Sequence, residues 1–175
     1  MALNLAELLC SAYVALALPN ADIACDHMDV VVESSEQHNL DPAVLVSLVF
    51  VESRWTPTAV SRDGACGLTQ VLPRYSAGFK NRFGKKLTCT QLKDPETSLR
   101  RGAKILNWWI QRYGKGRHST GLCGYNSGFR CKGEQEVKGH RYARSVLRLS
   151  KRIRKEMKKI EIEEASMVDV PGCYE

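Results

Sequence analysis

The stretch from Val51 to Pro73, "VESRWTPTAVSRDGACGLTQVLP", puts a carboxylate, Glu52, just after eight residues, Ala43 to Phe50, in which Ser47 is the only polar side chain. A glutamate at the end of so apolar a segment has two fates. Left at the surface it is an ordinary solvated helix end. Packed against apolar groups, its charged form is disfavoured and its pKa rises, which leaves a proton available near neutral pH for a leaving group. The residues that follow bear on the choice. Gly64 and Gly67 let the backbone approach a ligand or its own helix closely. Ser61, Thr69 and Gln70 supply neutral donors and acceptors of the kind that engage hydroxyl and acetamido groups. No Gly-rich run ending in Lys is present to cradle a phosphate. One acid among neutral polar groups suggests a sugar site.

The elements that must position this acid are helical. Residues 26 to 39 form an amphipathic pattern through Met28, Val31, Val32 and Ser35. Asp41 and Pro42 then supply an N-cap and a first helical residue. The segment from Ala43 to about Arg54 is apolar on nearly every side, as expected of a buried central helix, and Thr56 with Pro57 stops it. Residues 58 to 73 are loop-like. A third helix is expected from Asp94 to Tyr113, with Leu99, Gly102, Ala103, Leu106, Trp109, Ile110 and Tyr113 on one face and Gly114 as terminator. "GKGRHSTG" is expected to be a basic loop. A last helix carries Tyr142, Val146, Leu149, Ile153, Met157 and Ile160 at spacings of three or four. Its stripe runs further than a small domain needs, so it docks either on the domain or on a partner helix. With no run of alternating strand pattern, the fold class is mainly α. Three stretches follow: an N-terminal apolar segment (1–25), a domain (26–150) and a charged helical tail (151–175).

The 175 residues suit one globular domain with a single core. Lys and Arg outnumber Asp and Glu by 26 to 19, a formal charge of +7 that favours an anionic partner. In "KRIRKEMKK", Glu156 interrupts the basic run, "EIEEA" follows, and no aromatic interleaves, so a solvated helix face is expected there and nucleic-acid binding is not. Seven cysteines, an odd number, leave at least one unpaired within the chain. No CxxC pair is present, so no metal is expected. Cys123 and Cys131 bracket "GYNSGFR" and could close it by a disulfide in an oxidising compartment; several buried free thiols are the other option. "LLCSAYVALAL", residues 8 to 18, has the length of a signal-peptide apolar region. Glu7, and no Lys or Arg, precedes it, so a retained helix is expected, and the stretch is too short to span a membrane.

The pattern of "ES", Pro57, "AVS" and "GACGLTQVLP" resembles the signature of the soluble lytic transglycosylases, the goose-type-lysozyme-like domain that cleaves peptidoglycan. "DPETSLRRGAKIL" from Asp94, "GYNSG" from Gly124 and "RYARSVL" from Arg141 resemble later blocks of the same family, and the likeness covers roughly residues 26 to 150. It implies a lysozyme-like single domain with Glu52 as catalytic acid. It also implies that Ser61 bonds near that acid and the acetamido group, and that Gln70 lines the cleft as a sugar contact. Tyr125 is implied to lie beside the acid and stabilise the reacting sugar, with Asn126 next to it. Departures are Lys138, where many members have Glu, Leu72 in place of Met, and Gly124 in place of Ala. Glu134 and Glu136 lie near Lys138 without matching its position.

Glycoside cleavage ordinarily uses two carboxylates, whereas this signature supplies one. One suffices if the substrate brings its own nucleophile, as N-acetylmuramic acid does with its C6 hydroxyl. The implied product is a 1,6-anhydromuramoyl end, with no cofactor. A hydrolase recruiting Asp63 or a C-terminal Glu, and a non-catalytic wall-binding or structural virion protein, are the alternatives. The expected partners are peptidoglycan glycan strands and, through the C-terminal helix, other virion proteins. A bacteriophage enzyme associated with the virion and acting in the host periplasm fits a bare domain with short tails; a secreted or periplasmic bacterial enzyme is the alternative.

Overall fold

In the computed structural model, residues 3–131 and 134–168 are described, with residues 134–136 and 167–168 described through their backbone alone. The fold is organised around α4 (Pro42–Ser53). Asp41 caps it, its side chain accepting from the Ala43 N–H at 2.8 Å, and Pro42 occupies the first turn. All seven residues from Ala43 to Val49 are buried, so the helix must be covered on every side. Ser47, the polar exception, satisfies itself on the Ala43 carbonyl at 2.7 Å. One core joins α4 to α1 (Leu5–Ala15), α3 (Met28–Gln37), α6 (Pro95–Trp108), α7 (His118–Ser127) and α8 (Glu134–Val168) through Leu9, Met28, Leu48, Leu106, Leu122 and Val146. The short helices α2 (Ala21–Cys25) and α5 (Cys89–Leu92) serve as anchors for disulfides.

The long C-terminal helix docks on its own domain. Ala143, Val146, Leu149 and Ile153 of α8 enter the core, Met157 and Ile160 pack against its edge, and Ile162 is exposed. Arg154 pairs with Asp41, which ties α8 to the start of α4. On the opposite flank α1 packs against α8. It opens with a reciprocal capping box between Asn4 and Glu7 and is bonded through Cys10 to Cys25 of α2.

Several local expectations are corrected. "GKGRHSTG" is a loop only in its first half, because α7 begins at His118. Its glycines serve close packing: a Cβ on Gly121 would lie 2.6 Å from Ile110 Cα, and one on Gly124 would lie 2.4 Å from the Trp109 ring. Helix α4 ends at Ser53, before Thr56 and Pro57, because Arg54 and Trp55 both turn left-handed at φ 50° and 59°. The third long helix closes in a π-helical turn, Trp109–Tyr113. Finally, six cysteines are paired as Cys10–Cys25, Cys66–Cys89 and Cys123–Cys131, so the option of several buried free thiols is set aside. Cys173 lies outside the described residues.

One contact dictates how closely α6 approaches the signature loop. A Cβ on Gly102 would lie 2.4 Å from Thr69 Cγ2 and 2.6 Å from its Oγ1. In an exposed helix, Gly→Ala would stabilise by about 1 kcal/mol. Here Gly102→Ala is expected to destabilise by roughly 1–3 kcal/mol, the usual cost of overpacking. Urea unfolding checks the sign.

Candidate active site

Glu52 occupies the last turn of α4, where the apolar helix delivers its side chain against the core. The residue keeps part of its surface, while the carboxyl group itself is sunk among neighbours. Burial raises its pKa to about 7, and an opposing hydrogen bond from Tyr142 limits the rise. The Tyr142 hydroxyl lies 2.5 Å from Glu52 Oε1, across 90 residues of sequence, and arrives on α8. Tyr142 itself is held neutral, its pKa raised well above the ordinary value by burial and by the Glu52 charge. Among the described residues, burial and Tyr142 are the influences on Glu52, and no second carboxylate contributes. Asp63, the sequence candidate for a second acid, is exposed in the loop, and the side chains of Glu134 and Glu136 lie outside the described residues.

The signature loop is bolted to three elements. Ser53 donates to the Leu68 carbonyl at 2.8 Å, which clamps the loop to the end of α4. The Thr69 N–H donates to Ser98 Oγ (3.1 Å) and the Thr69 hydroxyl donates to the Ser98 carbonyl (2.9 Å), which clamps the loop to α6. The Cys66–Cys89 disulfide joins it to α5. Gly67 makes this approach possible: at φ +78° its missing Cβ would lie 1.7 Å from the Leu92 carbonyl oxygen. Backbone bridges Val60 to Cys66 and Cys66 to Val71 fold the loop back on itself.

The residues singled out from sequence fall into two groups. Tyr125, on α7, is near enough to Glu52 that the acid's charge raises its pKa, along with burial. Its hydroxyl donates to the Thr69 carbonyl at 2.8 Å, so it touches the loop and leaves the hydrogen bond to the acid to Tyr142. Gln70 is half-buried at φ 50°, and its Nε2 donates to the carbonyls of Gly67 (2.9 Å) and Ala59 (3.2 Å). Its amide nitrogen therefore holds the loop together from inside. Ser61 is exposed and its Oγ accepts from the Ala65 N–H at 3.0 Å, a turn-forming bond. Asn126 is exposed and accepts from Ser127 Oγ at 3.1 Å. Tyr142 was legible only as the start of a closing helical block; nothing in its local sequence says that it reaches Glu52. Among the described residues Cys123, Cys131 and His140 come within ligand distance of one another, but the two sulfurs are bonded to each other and so do not offer a thiolate pair.

The Tyr142 bond stabilises the charged form of Glu52, so removing it raises the carboxyl pKa further. Tyr142→Phe is expected to move the alkaline limb of the pH–activity profile upward. With one charge-stabilising hydrogen bond lost, kcat/KM at neutral pH should fall on the order of tenfold. A loss of rate with no movement of the limb would assign Tyr142 to packing alone.

Comparison with known proteins agrees with this architecture. The profile of the Transglycosylase SLT domain matches residues 29–146. A transglycosylase of Enterobacteria phage PRD1 is 34% identical over 95 residues, 54% of this chain and 32% of that one. The membrane-bound lytic murein transglycosylase C of Edwardsiella ictaluri is 32% identical over 85 residues, 46% of this chain and 23% of that one. The chain thus spans about a third or less of the length of these two relatives. Among solved structures, an inactive mutant of the lytic transglycosylase Slt from Pseudomonas aeruginosa superposes with a TM-score of 0.65 at 19% identity, over 87% of this chain and 30% of that one. The 70 kDa soluble lytic transglycosylase of Escherichia coli gives the same TM-score at 20% identity, over 85% and 29%. The fold is thus the mainly α, lysozyme-like one with a long C-terminal helix that the sequence led us to expect, and the chain belongs to the Transglycosylase SLT domain family.

Proposed function

We propose that this chain is a peptidoglycan lytic transglycosylase that cleaves the β-1,4 bond between N-acetylmuramic acid and N-acetylglucosamine and leaves a 1,6-anhydromuramoyl end. The observation that carries this reading is a buried carboxyl, Glu52, with its pKa at about 7 and, among the described residues, no second carboxylate acting on it. Protonated Glu52 gives its proton to the glycosidic oxygen as the bond to muramoyl C1 breaks. The resulting carboxylate takes the proton of the C6 hydroxyl as that oxygen attacks C1, so no water is consumed. Tyr125 supports the electron-poor sugar. Its own proton is committed to Thr69, so the lone pairs of its oxygen are what it offers to positive charge at the ring. Ser61, Gln70 and Asn126 serve the acetamido and hydroxyl groups of the glycan.

The setting we propose is a bacteriophage particle whose enzyme opens the host wall from the periplasm, with virion proteins as neighbours along the exposed part of α8; a secreted or periplasmic bacterial enzyme is the alternative. The phage relative supports the first, and three disulfides suit an oxidising compartment in either case.

Digestion of purified peptidoglycan, followed by mass spectrometry of the released muropeptides, tests the reaction. Products one water lighter than hydrolytic muropeptides are expected from the wild type. For Glu52→Gln, release should fall by roughly 10²–10⁴-fold, the usual worth of a general acid. Reducing ends would make the chain a hydrolase, and no products from the wild type would make it a binding or structural protein.

The same acid sets a stability prediction. Because the folded pKa of about 7 exceeds the ordinary 4.5, the folded chain binds more protons than the unfolded one between those values. Stability is therefore lost as pH rises through that window, and the penalty is complete above pH 7. Glu52→Gln removes it and is expected to stabilise the protein by roughly 3 kcal/mol at pH 8 and by little at pH 4. Thermal unfolding at the two pH values measures the difference.

A further inference from the structure

Steps of four and three residues along α8, beginning at Val137, land in turn on Arg141, Arg144, Arg148, Lys151, Lys155, Lys158 and Ile162. That alternation stays on one face of a helix, so these side chains form a single row about 38 Å long. All six cations are exposed, and Val137 and Ile162, at the two ends, are each 60% exposed. The opposite side of the helix is the one spent on the fold: Ala143, Val146, Leu149 and Ile153 enter the core, and Tyr142 reaches Glu52.

A solvated helix face, expected here from the sequence, mixes the two signs, and this row does not. The acids of the stretch, Glu156, Glu161, Glu163 and Glu164, all fall outside it. Glu156 and Glu163 are spent on Lys159, and the Arg154 guanidinium is paired with Asp41. Among the described residues none of the six cations in the row has a carboxylate partner. Like charges three and four residues apart oppose the helix that carries them, and an extended anionic partner relieves that repulsion. Cations alone would suit nucleic acid as well as lipid. The ends of the row separate the two. Exposed aliphatic side chains have nothing to meet on a phosphate backbone, and no aromatic in the row offers a base a surface to stack on. An anionic bilayer meets both demands: its headgroup phosphates take the cations, and the boundary of its acyl region takes Val137 and Ile162.

We infer that the outer row of α8 docks the protein on the surface of an anionic phospholipid bilayer. The contact is peripheral, because the apolar side of α8 is already buried in the domain. It also orients the molecule, since Tyr142 and the Glu52 it bonds lie on the side of α8 turned away from the bilayer. The inference stands independently of the transglycosylase reading; taken with it, the enzyme works on the wall while resting on the adjoining membrane.

Sedimentation with vesicles tests this. The full chain is expected to bind vesicles of phosphatidylethanolamine and phosphatidylglycerol and not vesicles of phosphatidylcholine alone. Two variants of equal net charge locate the contact. Arg148→Gln, Lys151→Gln and Lys155→Gln combined empty the middle of the row, whereas Lys80→Gln, Lys85→Gln and Lys86→Gln combined remove three exposed cations elsewhere. Unchanged thermal midpoints verify that both fold. The row variant is expected to lose on the order of a hundredfold in vesicle affinity, and the other to stay close to the wild type. Equal losses in the two would leave only net charge, and equal binding of the wild type to phosphatidylcholine would leave the cations without a role; each overturns the proposal. Val137→Ser with Ile162→Ser should weaken vesicle binding severalfold. Tighter binding of the wild type to duplex DNA than to the anionic vesicles at the same salt would hand the row to nucleic acid and overturn the lipid assignment. Muropeptide release from purified peptidoglycan, which holds no lipid, should be the same for the row variant and the wild type, and a loss there would assign the row to the wall instead. Vesicle binding by a wild type that releases no muropeptides would sink the catalytic reading and leave this one standing.

Discussion

The rest of the structure depends on keeping one carboxyl group in a dry place without stranding it. Burial of Glu52 favours the protonated acid, and the Tyr142 hydroxyl at 2.5 Å keeps the ionised form accessible. Neither influence alone would do. Without burial the proton is lost well below neutral pH, and without a hydrogen-bond donor the carboxylate formed after proton transfer would be an unpaired buried charge. The two demands explain why the acid sits on the last turn of an apolar helix, where the core ends and a cleft can begin. They also explain why a second helix must come from the far end of the chain to meet it. Helix α8 does so by burying Ala143, Val146, Leu149 and Ile153 beside Tyr142, so its docking energy positions one hydroxyl.

The signature loop shows how much of a long motif is spent on geometry. Gln70 holds two carbonyls of its own loop, Thr69 exchanges hydrogen bonds with Ser98, and Ser53 pins Leu68. Gly67 admits the Leu92 carbonyl where any side chain would collide. A loop carrying so few buried apolar groups would otherwise open easily. Fixing it to α4, α5 and α6 holds it in one geometry. Such precision is what a catalyst that works by positioning and charge requires.

The sequence exposed the parts that are written locally. The cap at Asp41, the apolar run through Val49, the stripe of α8 and the acid at its helix end each follow from periodicity or side-chain chemistry within a few residues. What stayed hidden depends on distant partners. Gly121 and its neighbours in "GKGRHSTG" looked like loop residues because a helix with glycine is unfavourable on its own. Gly121 is helical because Ile110 presses against it from another helix, as Trp109 does against Gly124. The cysteine pairing was hidden for the same reason, since spacing alone does not reveal which sulfurs meet. The contact between Tyr142 and Glu52 spans 90 residues and has no local trace.

The two tyrosines near the acid divide the work through the direction of their protons. A phenol has one proton to donate, and the fold commits each differently: Tyr142 to Glu52, Tyr125 to the Thr69 carbonyl. Both are kept neutral by burial and by the nearby acid. Tyr142 therefore favours the ionised form of Glu52, which in the reaction we propose is the form left once the proton has gone. Tyr125 has spent its donor on the loop and presents the electron-rich side of its oxygen. Near a sugar ring that gains positive charge as the glycosidic bond lengthens, an acceptor is the useful partner, and a donor would oppose the charge. In the reaction we propose, a single backbone carbonyl, that of Thr69, thereby decides which side of the Tyr125 oxygen meets the sugar.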